Sequence, residues 1–367
     1  MEITEKIKTA LKNANNIGLF TGDNPDKDAI GSTLAIFFAL KDIGKNVFLV
    51  NPASIQKINN VLPKTNQNRV MFSFLGEASE IFYEKLANRT NVYLTPSSGL
   101  IEPNSFFCET TTEKRDAIQN ETKSFDLLLT LGIHDYKIIE KNFAENPDAL
   151  FECNIINIDN NIGNQNYGDI NFIEDYPCLS QTVACFISRL DKIYQSKKSL
   201  SFLLFGLYNS PQNNRTKKNF ITFKWLIDNN GNFDFINVDE KKPNPELKIM
   251  EETIRNLDKS FLKQFDIGVS FLKEDIFNLT GATSQDLTFT FEKMKNFFHL
   301  SSFVLLWKDS KNSVKGIFYS NTKELAELIK SQYKGSFKEN RGIIILNEPD
   351  LLKAKADIVS HFIKKTF

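Results

Sequence analysis

The sequence predicts an α/β protein, a doubly wound parallel sheet followed by a smaller C-terminal α/β domain. Three observations predict it. The first is the unit formed by the apolar strand Ile17-Gly18-Leu19-Phe20-Thr21, the apolar helix from Ala29 to about Ile43, closed at Gly44, and the strand Asn46-Val47-Phe48-Leu49-Val50. A strand-helix-strand unit of this kind favours a parallel sheet with a right-handed crossover. The second is a further pair of apolar strands, Phe125–Leu131 and Asn154–Ile158, bounded by polar turn residues and separated by a helical segment near 135–149. The third is length: 367 residues exceed what one core usually serves, so two domains are expected, divided near residue 240.

Taken in order, residues 2–13 carry Ile3, Ile7 and Leu11 at helical spacing, and the first strand ends in the turn Gly22-Asp23-Asn24-Pro25. Residues 68–113 read as an inserted β-rich segment, with strands at Val70–Phe74 and Asn91–Thr95. A helix is expected near 180–193, an apolar strand at 201–207 and a helix at 217–228 stopped by Asn229-Asn230-Gly231; Lys241-Lys242-Pro243-Asn244-Pro245 marks a linker. Domain 241–367 then reads helix 246–263, strand Ile267–Leu272, helix 284–297, strands Phe303–Trp307 and Val314–Ser320, helix 322–333, strand Gly342–Leu346 and a closing helix 349–365. In open α/β sheets ligands bind beyond the carboxyl ends of the strands, so Gly22–Asp28, Gly132–Asp135 and Asp159–Asn161 are expected to share one crevice.

Charge and composition narrow the function classes. Forty-five Lys+Arg balance forty-five Asp+Glu, so no global field gathers polyanions and any nucleic-acid contact must rest on a local patch. Cys108, Cys153, Cys178 and Cys185 have no Cys-x-x-Cys spacing and are expected to be reduced. With no apolar leader and no run near the roughly 20 residues that span a bilayer, the expectation is a soluble, cytoplasmic protein with no membrane partner.

The segment Asn24-Pro25-Asp26-Lys27-Asp28-Ala29-Ile30-Gly31-Ser32 resembles the first motif of the DHH/DHHA1 phosphoesterases, a family of oligoribonucleases, exopolyphosphatases and single-strand exonucleases. Asn157-Ile158-Asp159, then Gly168-Asp169-Ile170-Asn171, and later Gly281-Ala282, follow in the family's order. The resemblance covers the chain apart from the insertion. It implies a DHH-like domain at 1–240 and a DHHA1-like substrate or cap domain at 241–367. It also implies a pair of Mn²⁺ or Mg²⁺ ions that activate a water for attack on phosphorus.

Matched residue by residue, Asp26 and Asp28 survive in the first motif, while its His falls on Gly22. The second motif's Asp falls on Gly132. In the third motif Asp159 survives, and two histidines are replaced by Asn160 and Asn161. A fourth Asp, expected after the 201–207 strand, falls on Ser210. Neutral amides and hydroxyls bind these cations far more weakly than carboxylate or imidazole, so no metal cofactor is expected, at most a weakly held Mg²⁺ or Mn²⁺ on Asp26 and Asp28. Where the family carries an Arg-Ser pair and a Gly-Gly-Gly-His loop, this chain reads Phe318-Tyr319-Ser320 and Gly335-Ser336-Phe337-Lys338. Lys334, Lys338 and Arg341 are candidate anion contacts, with a solvated charged loop the favoured reading, and Ser32 at the start of a helix is another, which capping explains equally well.

The three histidines His134, His299 and His361 lack metal spacing; His134 follows Gly132 closely and is read as a loop residue. Asp23 and Asp135 are candidates to supplement the acidic crevice, or turn and cap residues, and Ser180 opens a helix in which the family's Glu is Val183. Three function readings follow. The first is a phosphoesterase-like protein that has lost hydrolysis and binds a nucleotide, a short oligonucleotide or a protein partner. The second is a metal-dependent phosphodiesterase acting on short oligonucleotides or 3′-phosphoadenosine 5′-phosphate. The third is an interaction module using the 68–113 insertion. Pairing is common in the family, which makes a homodimer an expectation of the resemblance alone.

Overall fold

The computed structural model describes residues 2–50, 64–74, 78–85, 90–96, 106–116, 125–144, 147–210, 217–233, 244–258, 262, 264, 266–273, 275–309 and 312–366. The chain divides into two compact units, Leu62–Gln119 and the remainder. The boundary expected near residue 240 lies outside the described residues, as does most of the 241–245 linker.

In the larger unit the chain opens with α1 (Glu2–Asn13), β1 (Asn16–Phe20), α2 (Lys27–Lys41) and β2 (Asn46–Leu49). In the smaller unit β3 (Lys64–Phe74) pairs antiparallel with β6 (Phe106–Asp116), and β4 (Ala78–Lys85) with β5 (Thr90–Pro96). The chain continues with β7 (Leu127–Leu131), α3 (Tyr136–Asn142), α4 (Asp148–Phe151), β8 (Asn154–Asp159) and β9 (Ile170–Ile173). The first sheet has the order β2-β1-β7-β8-β9 and every pairing in it is parallel, as the βαβ reading predicts. β7 is buried at all five positions and β8 at five of six, the uniformly apolar signature of strands covered on both faces.

Helices α5 (Leu179–Arg189), α6 (Lys197–Asn209) and α7 (Lys217–Asp228) follow. Residues 201–207, expected as a strand, lie inside α6. Ser196 caps that helix by accepting from Ser199 N, and Leu200, Phe202, Leu203, Leu204, Phe205 and Leu207 are all buried. A helix covered all round has no polar face, so its apolar run carries no period to distinguish it from a buried strand. α6 packs against α2, itself buried from Ile30 to Leu40. The two meet backbone to backbone: a methyl on Gly31 would lie 2.7 Å from Gly206 N and 2.8 Å from Phe202 O. Phe38 and Phe202 stack beside that crossing with centroids 5.2 Å apart.

The second sheet is mixed, ordered β10-β11-β12-β14-β13. It comprises β10 (Ile267–Phe271), β11 (Ser302–Lys308), β12 (Val314–Ser320), β13 (Lys334–Lys338) and β14 (Arg341–Leu346). α8 (Pro245–Arg255) precedes it and is shorter than the 246–263 expected. Val269, Val304, Leu306, Phe318 and Ile344 face one core with Ala326 and Ile329 of helix Lys323–Gln332 and Ala354, Ile358 and Phe362 of helix Leu351–Thr366. On the opposite face Phe291 of helix Ser284–Phe298 stacks on Phe303 at 5.2 Å. Neither β9, β13 nor the short helix Asp275–Thr280 was expected from the sequence; each is at most six residues long, too short to show a period. Among the described residues no helix is long and apolar enough to cross a membrane.

Candidate functional site

The strand ends expected to share one crevice do lie side by side. β1, β7 and β8 are neighbours, and Gly22, Gly132 and Asp159 stand at or just beyond their ends. Thr21 Oγ1 donates to Leu131 O at 3.2 Å and Gly132 N to Ile158 O at 2.9 Å, tying the three strand ends together.

Each surviving carboxylate has a structural occupation. Asp26 is exposed and is the N-cap of α2, its Oδ1 accepting from Ala29 N at 2.8 Å. Asp28 is buried, 6% exposed, and serves the start of a different helix: Oδ2 accepts from Leu179 N at 2.8 Å and Oδ1 from Ser180 N at 2.9 Å. It thereby satisfies two of the amides that the first turn of α5 would otherwise leave unpaired. Burial pushes the Asp28 carboxyl up to about 6, against the lowering effect of those Ser180 and Leu179 bonds. Asp159 is 2% exposed; its Oδ1 accepts from Asn160 N at 2.8 Å and Asn161 N at 3.2 Å, and its Oδ2 from Asn164 Nδ2 at 2.7 Å.

Where the resemblance places metal ligands, neutral groups or aliphatic carbon stand. Gly22 and Gly132 adopt left-handed backbone, φ +76° and +68°, which any other residue enters at a cost. A Cβ on Gly22 would meet Ile133 Cδ1 at 3.2 Å, and one on Gly132 would meet Leu179 Cδ2 at 3.0 Å. Asn160 donates through Nδ2 to Tyr176 O at 3.2 Å, and Asn161 Oδ1 accepts from Gly163 N at 2.9 Å, an Asx turn. Ser210 is the C-cap of α6 rather than the residue after a strand, and its hydroxyl donates to Leu207 O at 2.8 Å.

Behind the strand ends lies a buried network the sequence reading missed. Asn157, wholly buried, donates through Nδ2 to Asn164 Oδ1 at 2.7 Å and accepts at Oδ1 from Tyr167 OH at 3.2 Å and Thr130 Oγ1 at 3.3 Å. Asn164 Nδ2 also reaches Ile133 O at 2.9 Å. Burial raises the Tyr167 phenol, so it acts here as a neutral hydroxyl. The available signal was the density of asparagine through 154–171, where amides both donate and accept and can close a network without charge.

The donor set does not fit a pair of divalent cations. Both oxygens of Asp28 and of Asp159 are engaged by N–H groups, two ligand positions are left-handed glycines against aliphatic side chains, and of the rest only the exposed helix cap Asp26 carries charge. Among the described residues, no three His, Cys, Asp or Glu side chains are grouped to hold a metal ion.

The other candidates are dispersed. Ser32 is wholly buried, its hydroxyl 3.0 Å from Ser180 Oγ, and Ser180 Oγ in turn donates to Asp28 O at 3.3 Å. Asp135 caps α3 by accepting from Lys137 N at 2.9 Å; His134 is exposed. His299 ends helix Ser284–Phe298 in left-handed backbone, and His361 Nδ1 lies 2.9 Å from Tyr333 OH. The stretch expected as a charged loop is the edge strand β13. Lys338 pairs opposite Arg341, which forms an ion pair with Glu292 at 3.3 Å, while Lys334 lies at the other end of the strand, about 13 Å away at the usual rise.

No protein-family model and no curated protein matches this sequence. Solved structures to which the chain is similar include an exopolyphosphatase-related protein from Bacteroides fragilis, at 14% identity over 99% of this chain and 96% of that one, with a TM-score of 0.41. A Methanococcus jannaschii protein described as a putative family II inorganic pyrophosphatase is 13% identical over 94% of this chain and 99% of its own, TM-score 0.30. RecJ from Thermus thermophilus, in complex with Mn²⁺, is 10% identical over 100% of this chain but 54% of its own length, TM-score 0.25. Likeness at this level transfers no residue role.

Proposed function

We propose that this chain is a metal-independent binding protein on a phosphoesterase-like α/β scaffold, taking a nucleotide or short oligonucleotide rather than hydrolysing one. The observation that carries the reading is the engagement of every Asp28 and Asp159 oxygen by main-chain and amide N–H groups. A buried carboxylate already satisfied by N–H donors gains less from a cation than an open one, and any of those amides displaced by an ion would cost about 1–3 kcal/mol. Paired cations are what would lower the pKa of an attacking water, and the residues at these strand ends supply no charged ligand set to hold them.

The test is hydrolysis of dinucleotides and of 3′-phosphoadenosine 5′-phosphate by the full chain with added Mn²⁺, beside the Asp26→Ala variant. The reading expects no turnover, together with thermal stabilisation by a nucleotide. Metal-dependent turnover lost in Asp26→Ala returns the protein to the phosphodiesterases. A protein partner belongs to the same proposal: residues 62–119 form a compact unit of their own, suited to a contact surface, and their deletion is expected to abolish partner capture while leaving nucleotide stabilisation intact.

A further inference from the structure

Helix α5 borders a concavity away from its capped N-terminus. Gln181, Ala184 and Cys185 lie on one face of α5 at helical spacing, and Ile221 and Trp225 lie four apart on α7; with Tyr176 from the segment before α5 they line a cavity of about 420 Å³. The volume falls within the range of small-molecule sites, which are mostly apolar with a few placed polar groups. Among the described residues, no charged side chain lines it.

Two features give the cavity a chemistry. Its lining includes two aromatic residues, Trp225 and Tyr176, whose rings offer flat apolar surface. Tyr176 is held neutral: the side-chain hydrogen bond with Cys185, and then burial, push its phenol up to about 12. The second feature is Gln181. Its side chain is 3% exposed, and Oε1 has no hydrogen-bond partner among the described residues. Buried carbonyl oxygens are rarely left unpaired, because an unmade bond forfeits the hydration the group had in the unfolded chain. Gln181 is one of the lining residues and its last torsion is broad and soft, so its amide can offer a ligand in the cavity an acceptor and a donor.

We propose that this cavity binds a neutral, planar nitrogen heterocycle of the nucleobase type, stacked against Trp225 and Tyr176 and read along its hydrogen-bonding edge by the Gln181 amide. A glutamine amide matches the donor–acceptor edge of adenine in two places at once. The absence of charge in the lining turns away phosphate as the anchoring group, so this site is separate from the strand-end crevice. It stands or falls apart from the reading of that crevice.

The chain has two tryptophans, so a Trp307→Phe background leaves Trp225 as the sole indole reporter. Adenosine, an adenylate tetramer, indole and inorganic phosphate are titrated against its emission. Saturable quenching by adenosine in the submillimolar range, weakened about tenfold by Gln181→Met and absent with phosphate, is expected. Tighter binding of the tetramer would assign the base to a strand, and equal binding to a free nucleoside; either supports the proposal. No saturable quenching with a folded protein overturns it. So does Gln181→Met binding as wild type, or indole binding as tightly as adenosine, since the cavity would then read flatness alone. Trp225 reports this cavity and Mn²⁺ titration reports the crevice, so the failure of one is distinguishable from failure of the other.

Discussion

One helix, α5, borders two polar sites that differ in how their groups are satisfied. At its N-terminus the crevice holds two buried carboxylates whose four oxygens are all engaged, backed by an Asn-Thr-Tyr network closed on itself. Along its side, the cavity beneath Trp225 carries a buried amide oxygen with no partner among the described residues. Binding free energy comes from interactions a ligand completes. A site whose donors and acceptors already satisfy one another offers a ligand little and contributes instead to stability, whereas an unsatisfied group in a roomy, flat-walled cavity does the reverse.

The largest expected effect of breaking this contrast is in the crevice. Asn157→Leu removes the amide on which Thr130, Asn164 and Tyr167 converge, and is expected to cost about 3–4 kcal/mol in urea unfolding, because several buried partners lose their bonds together. A loss below about 1 kcal/mol would mean the network is decorative.

Next in size is the pH dependence carried by Asp28. Its carboxyl is raised from 3.8 in the reference state to about 6 in the fold, so between those values the folded chain holds a proton the unfolded chain lacks. Its contribution is therefore full below about pH 4, declines as pH rises through about 6, and is constant above, a span of about 3 kcal/mol. Asp28→Asn is expected to flatten that slope in unfolding measured from pH 4 to pH 7. An unchanged slope would assign it to other groups.

Two smaller effects have opposite signs. Gly132→Ala places a Cβ in left-handed backbone and 3.0 Å from Leu179 Cδ2, with an expected loss of about 1–2 kcal/mol. Gln181→Met removes the unpaired oxygen at nearly constant volume and is expected to raise stability by about 1 kcal/mol, seen as a higher urea midpoint at unchanged slope. Destabilisation by Gln181→Met would show that its amide already has a partner, and the contrast between the two sites would dissolve.

Much of the scaffold was legible because strand–helix alternation is a local property. The strands at 16–20, 46–49, 127–131 and 154–159 fall within a few residues of expectation, and their parallel order follows from the crossovers. The convergence of Gly22, Gly132 and Asp159 was legible for the same reason. What escaped has no local signature. The α6 segment at 201–207 is apolar on every side, so only its Ser196 cap distinguishes it from a strand. The partners of Asp28 lie 151 and 152 residues away, and no spacing rule connects a motif carboxylate to the start of a distant helix. The Gln181 cavity likewise arises where α5 meets α7, from residues that read individually as ordinary helix positions.

The most direct test of the central claim is a Mn²⁺ titration of the purified, metal-stripped chain followed by calorimetry. Buried carboxylates satisfied by main-chain and side-chain amides, with glycine and asparagine around them, predict no binding tighter than millimolar and no second ion. Two Mn²⁺ per chain bound at micromolar affinity would show that these residues do hold a metal pair, and would contradict the account.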